Sequence, residues 1–207
     1  MNRTGRSSRR RTEAIAAAHL AAACLAAVLA AGGAGAAEDP VDGPTPPEPA
    51  GYRMDGYRTP TPATLAGAVV LDTAAAERLW RDGRAVFVDV MPRPEKPAKL
   101  PAGTIWRDAP RDHLPRSAWL INVGYGALAP RMEEFFRGSL RELTGGDAAK
   151  PLAFYCRRAC WMSWNAAKRA IEWGYSAVYW YPDGSDGWAE AGLPLEAAKP
   201  YRVGAKE

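Results

Sequence analysis

The chain has 207 residues, 47% of them apolar and 24% charged, which suits one domain of ordinary size and hardly two. Its formal net charge is +4, from 27 Lys and Arg against 23 Asp and Glu; five of those arginines and one glutamate fall in residues 1–37, so the remainder carries 22 basic and 22 acidic residues. A balanced remainder, with no basic stripe interleaved with aromatics, excludes nucleic-acid binding as the meaning of the high isoelectric point.

In chain order, Arg3, Arg6, Arg9, Arg10 and Arg11 precede an alanine-rich run from about Ala14 to Ala31, closed by Gly35-Ala36-Ala37. A basic segment, an apolar segment and small residues are the three parts of a secretory signal. Residues 1–37 are therefore expected to be a cleaved signal peptide, which places the mature protein in the periplasm. The run is short, mostly alanine and contains His19, so no membrane span is expected after cleavage. A retained anchor and lipoprotein processing at Cys24 are the alternatives. Residues 38–64 read as a Pro-rich linker and irregular arm, residues 65–197 as the domain, and residues 198–207 as a C-terminal tail.

Within the domain, Ala68–Leu71 is a short strand candidate, and Asp72 or Thr73 can cap a helix reaching about Arg81 before Gly83. Ala85–Val90 is apolar nearly throughout, as a strand buried on both faces should be. A loop with six prolines then runs from Met91 to about Ser117, long enough to suggest function. Trp119–Asn122 reads as a second strand, and Pro130 opens a helix to about residue 143, stopped by Gly145-Gly146. Leu152–Tyr155 is the next strand, followed by a helix over Trp161–Trp173 with Gly174 as its stop. Ala177–Tyr181 is a strand, and a last short helix contains Trp188. Strands alternating with helices predict an α/β fold, a mostly parallel sheet with helices on both faces.

Once a signal is removed, two cysteines remain, Cys156 and Cys160. With His113 as the sole histidine of that part, they are too few for a closed zinc site built from Cys and His, so no metal and no bound cofactor are expected. Cys156 stands at the end of a strand and before a helix, where sites of open parallel sheets lie. Loop N–H groups, the helix dipole, Arg157 and Arg158 all favour a thiolate there. Ala159 and Trp161 complete the loop around the sulfur, and Asp89 and His113 are supporting candidates. The sequence leaves open whether the two cysteines are bonded; a non-helical loop would allow it. Cysteine phosphatase chemistry is excluded, because the phosphate-clamping position six residues after Cys156 is Met162.

The ordered set Ala85–Val90 with Asp89, His113-Leu114-Pro115, Pro151 to Cys156, Gly174 to Val178, Asp183-Gly184 with Trp188, and Ala191-Gly192-Leu193-Pro194 resembles a rhodanese domain over roughly residues 65–197. Cys156-Arg157-Arg158-Ala159-Cys160-Trp161 further resembles the exported rhodanese-like family described by a Cys–Cys–Trp motif and associated with pyrroloquinoline-quinone-dependent alcohol catabolism. The resemblance implies a flavodoxin-like α/β layer and a persulfide on Cys156, with a small sulfur donor and acceptor and thiosulfate sulfurtransferase activity as one reading. Two others stand beside it. In one, Cys160 resolves a modified Cys156 and the pair cycles as a thiol–disulfide couple. In the other, the protein is a non-catalytic accessory of a periplasmic quinoprotein dehydrogenase or its cytochrome. The loop after Cys156 lacks the glycine and serine usual in active rhodaneses, which favours this last reading.

Overall fold

The computed structural model describes residues 43–93 and 96–204; the expected signal peptide lies outside the described residues. The elements run β1 (Ala68–Val70), α1 (Thr73–Asp82), β2 (Val86–Asp89), β3 (Asp112–His113), β4 (Ala118–Trp119), α2 (Pro130–Thr144), β5 (Leu152–Tyr155), α3 (Trp161–Glu172), β6 (Val178–Tyr181), α4 (Gly184–Glu190) and β7 (Glu196–Ala197). The main sheet has five strands in the order β1-β6-β5-β2-β4, and every pairing in it is parallel. The fold is α/β, as the alternation of apolar strands and amphipathic helices predicts.

The period of two along each strand divides the core into two layers. Leu152 and Phe154 of β5, with Val88 of β2 and Trp180 of β6, face α2 and α3, where Phe136, Leu140, Trp164 and Ala167 meet them. Ala153 and Tyr155, with Phe87 and Tyr181, face Ala76 of α1 and Trp188 of α4. The large indoles bury their rings only because each N–H finds an acceptor. Trp164 donates to the Thr64 carbonyl, Trp180 to the Ser163 hydroxyl and Trp188 to the Pro194 carbonyl.

The helix ends follow the local chemistry. Asp72 accepts from the Ala75 N–H at 2.7 Å to cap α1, and Gly83 ends it at φ 66°. Pro130 sits in the first turn of α2, and Gly145 ends that helix in the left-handed region, where a glycine pays no Cβ penalty. The expected strand over Trp119–Asn122 is corrected. The ladder occupies Ala118–Trp119, and the Leu120 N–H makes one further bond, to the Asp89 carbonyl. The chain then turns through Asn122 at φ 65°, whose side-chain oxygen accepts from the Arg93 N–H at 3.2 Å. Asparagine tolerates this conformation and closes the turn with its own polar group. A two-stranded antiparallel ladder of β3 and β7 is too short to leave a periodic signal. The segment after β7 returns to the sheet edge, where the Tyr201 N–H donates to the Trp119 carbonyl at 2.9 Å. Among the described residues no helix is long and apolar enough to cross a membrane.

Candidate functional site

The carboxyl end of β5, the central strand of the five, delivers Cys156 to the rim of the sheet. The turn after it is held by backbone. The Cys156 carbonyl accepts from the Ser185 N–H at 3.0 Å, and Arg157 bridges to Gly184. Ala159 then adopts φ 51°, a left-handed conformation that costs an alanine about 1–2 kcal/mol. This reversal folds the chain back and sets Cys160 at the start of α3 with its Cα 6.2 Å from that of Cys156, within the span a disulfide needs. The two sulfurs are bonded.

This geometry differs from an open thiol in a ring of donors. Cys156 is 0% exposed and Cys160 2%. Two loop donors expected near the sulfur serve other acceptors: the Arg158 N–H goes to the Asp186 carboxylate at 3.2 Å and the Trp161 N–H to the Tyr57 carbonyl at 3.0 Å. The neighbouring guanidinium groups likewise turn to α4. Arg157 lies 3.4 Å from Asp186, and Arg158 makes a two-pronged pair with Glu190 at 2.6 Å on each side. The Glu190 hydrogen bonds hold the Arg158 guanidinium well above its ordinary range, and Arg158 lowers Glu190 in return. The acidic residues of α4 take both cations because a carboxylate is a closer and permanent partner, whereas a disulfide carries no charge.

Residues 52–65 lie along the same loop. The Arg58 guanidinium donates to the carbonyls of Arg158 and Ala159 at 2.6 and 3.2 Å. Thr59 accepts from the Trp161 indole at 3.0 Å. Further along α3, Asn165 exchanges two hydrogen bonds with the Arg53 backbone. Trp161 is thus near the site, as its place beside Cys160 suggests, but it is buried at 2% exposure and anchors the arm.

Behind the loop lies a buried ionic network that the sequence shows only in part. Asp89, at 0% exposure, ends β2. Its carboxylate accepts from the Met91 N–H and from Arg111 Nε, both at 2.9 Å. Arg111 also donates to the Ser185 hydroxyl at 3.0 Å and to the Cys156 carbonyl at 3.3 Å. Burial pushes the Asp89 carboxyl up and Arg111 pulls it back. His113 stands 3.8 Å from Asp89 and 3.6 Å from Glu196, and its Nδ1 has no hydrogen-bond partner. Burial lowers its pKa, against the pull of both carboxylates. Asp89 and His113 therefore meet, and Asp89 reaches the cysteine loop through Arg111. Arg111 is the residue sequence reasoning missed. The available signal was Asp89 itself: a carboxylate at the end of an otherwise apolar, buried strand requires a cation or a set of donors.

A cleft of about 430 Å³ is lined by His113, Ser117, Trp119, Glu196, Lys199 and Arg202 among others, and neither cysteine lines it. No group of three or more His, Cys, Asp or Glu side chains is placed to hold a metal ion among the described residues.

No family model matches the chain, and no curated protein matches it. The chain is similar to several solved structures, these three among them. A thiosulfate sulfurtransferase from Pseudomonas aeruginosa shares 16% identity at TM-score 0.46, over 68% of this chain but 22% of its own. A polysulfide-sulfur transferase homodimer from Wolinella succinogenes shares 23% at TM-score 0.40, over 63% and 80% of the two chains. An uncharacterized protein from Saccharomyces cerevisiae shares 23% at TM-score 0.36, over 60% and 93%. Likenesses at this level lend the chain neither an activity nor a partner.

Proposed function

We propose that this chain is an exported sulfur-handling protein in which Cys156 accepts a sulfane sulfur and Cys160 resolves it. The observation that carries this reading is the bonded Cys156–Cys160 pair, held at the carboxyl end of a parallel strand and the start of a 12-residue helix. In the dithiol form, the Cys156 thiolate attacks the outer sulfur of thiosulfate. A sulfur–sulfur bond forms on Cys156, and sulfite leaves with the electron pair of the broken bond. The Cys160 thiolate then attacks the inner sulfur, closes the disulfide and releases hydrosulfide. An external dithiol restores the starting state with two electrons and two protons.

The helix N-terminus favours the Cys160 thiolate. Because both sulfurs are buried, entry of a donor requires a local opening of the loop, which is tied to Tyr57–Thr59 by hydrogen bonds. Export rests on the N-terminal residues. Service to a periplasmic quinoprotein alcohol dehydrogenase or its cytochrome rests on the Cys–Cys–Trp resemblance and is part of the same proposal. A second reading, in which the pair is a permanent staple of an accessory protein, is favoured by the zero exposure of Cys156.

Cys160→Ser tests the sequence of steps. After reduction and thiosulfate treatment, mass spectrometry should find one extra sulfur retained on Cys156 of the variant. The wild type should instead return to the disulfide and release hydrosulfide. No added sulfur on Cys156 in either protein would overturn the proposal.

A further inference from the structure

We propose that the reduced pair, together with Met91, forms a binding site for Cu(I). This rests on the reading above that the disulfide opens to a dithiol. Met91 Sδ lies 3.4 Å from Cys156 Sγ, and Cys156 Sγ is bonded to that of Cys160. Sulfurs from three separate segments, the ends of β2 and β5 and the start of α3, are therefore neighbours, with Cys156 Sγ in contact with both of the others. Because the disulfide carries no S–H, the Met91 contact is one between sulfur lone-pair donors and not a hydrogen bond.

Met91 is fixed at both sides of its backbone. Its N–H donates to Asp89 at 2.9 Å, and its carbonyl accepts from the Trp119 indole at 2.7 Å. The thioether is therefore positioned by the sheet, and does not reach the pair by chance from a free loop. Two thiolates and a thioether are the soft donors that select a monovalent copper ion. Zinc would need a fourth ligand, and among the described residues no His, Asp or Glu joins the cysteines as a cluster. Burial of both cysteines favours low coordination without water. Arg111 donates to the Cys156 carbonyl at 3.3 Å and neutralises Asp89, the carboxylate that holds the Met91 N–H, so that carboxylate adds no uncompensated negative charge beside the thiolates.

The chemistry balances without a metal redox step. An external dithiol delivers two electrons and two protons to the Cys156–Cys160 bond and leaves as its own disulfide. Cu(I) then displaces both thiol protons to solvent. Two Cu–thiolate bonds form, and the Met91 lone pair supplies the third.

The full chain, reduced under argon, is titrated with Cu(I) against bicinchoninate, and the copper environment is read by X-ray absorption. The expected result is one Cu(I) held by three sulfurs at this pair. Met91→Leu conserves volume and should keep the fold, weaken binding by at least about tenfold and leave two sulfurs on copper. Cys156→Ser should lose the site. Equal affinity and equal sulfur number in the wild type and Met91→Leu would overturn the proposal, as would Cu(I) remaining with bicinchoninate. If the pair reduces reversibly and binds no copper, this site alone falls. If the pair resists reduction in the folded protein, the site and the sulfur-handling reading fall together.

Discussion

Arg111→Met is expected to destabilise the folded protein by about 3–5 kcal/mol, the usual cost of removing one partner of a buried ion pair. Asp89 is fully buried and Arg111 is its only cationic hydrogen-bond partner among the described residues, at 2.9 Å. Methionine fills much of the same space, so the loss isolates the charge left behind. Two further bonds of the guanidinium go with it, to the Ser185 hydroxyl and to the Cys156 carbonyl. Against a total stability of about 5–15 kcal/mol for a domain, this is a large fraction. Urea unfolding at two pH values reads it. Burial already raises Asp89 above its ordinary value of 3.8, and loss of Arg111 raises it further. A carboxyl raised on folding favours the native state when protonated, and that contribution disappears as pH rises through its folded value. The deficit of the variant should therefore shrink on acidification, and Asp89→Asn added to Arg111→Met should recover part of it at neutral pH. A loss below about 1 kcal/mol, typical of an exposed pair, would contradict the assignment.

Gly184→Ala is the second large effect. Gly184 opens α4 at φ 53°, and a Cβ there would sit 2.6 Å from the Cys156 carbonyl oxygen, 2.8 Å from its carbon and 2.9 Å from the Arg157 Cα. All three are backbone atoms and cannot rotate away. The substitution adds about 1–2 kcal/mol of left-handed strain to about 1–3 kcal/mol of overpacking, and it pushes α4 off the cysteine loop, where Ser185 holds the Cys156 carbonyl. Gly192→Ala is the control. Its φ is 69° but no atom lies within 4 Å of the added Cβ, so it should show the strain alone. Equal shifts of the urea midpoint in the two variants would contradict the close approach of α4 to the loop.

The layers were legible because they rest on period and punctuation. The apolar runs at Val86–Asp89 and Leu152–Tyr155, the cap at Asp72 and the stops at Gly83 and Gly145 each fix an element locally. The short ladder of β3 and β7 was not, since two residues a side carry no alternation. The position of Cys156 at a strand end was legible for the same reason as the strand. Its surroundings were not, because they depend on which charges find each other across the fold. Arg157 and Arg158 read as cations for a sulfur anion, yet Asp186 and Glu190 take them. Those carboxylates stand 28 residues and more away in sequence. Arg111 and Met91 belong to a Pro-rich loop without periodicity, so their convergence on the cysteine loop had no local signature. The closed pair depends on one backbone reversal at Ala159, a conformation no alanine advertises.

The account turns on whether the buried Cys156–Cys160 bond opens and closes while the rest of the molecule stays folded. Peptide-resolved alkylation of the folded protein, before and after treatment with a dithiol in the absence of denaturant, measures this directly. The prediction is that both cysteines are blocked to alkylation at first, that both become reactive after the dithiol with the circular dichroism spectrum unchanged, and that oxidation restores the blocked state. Thiols at 156 and 160 that appear only when the protein unfolds would contradict it.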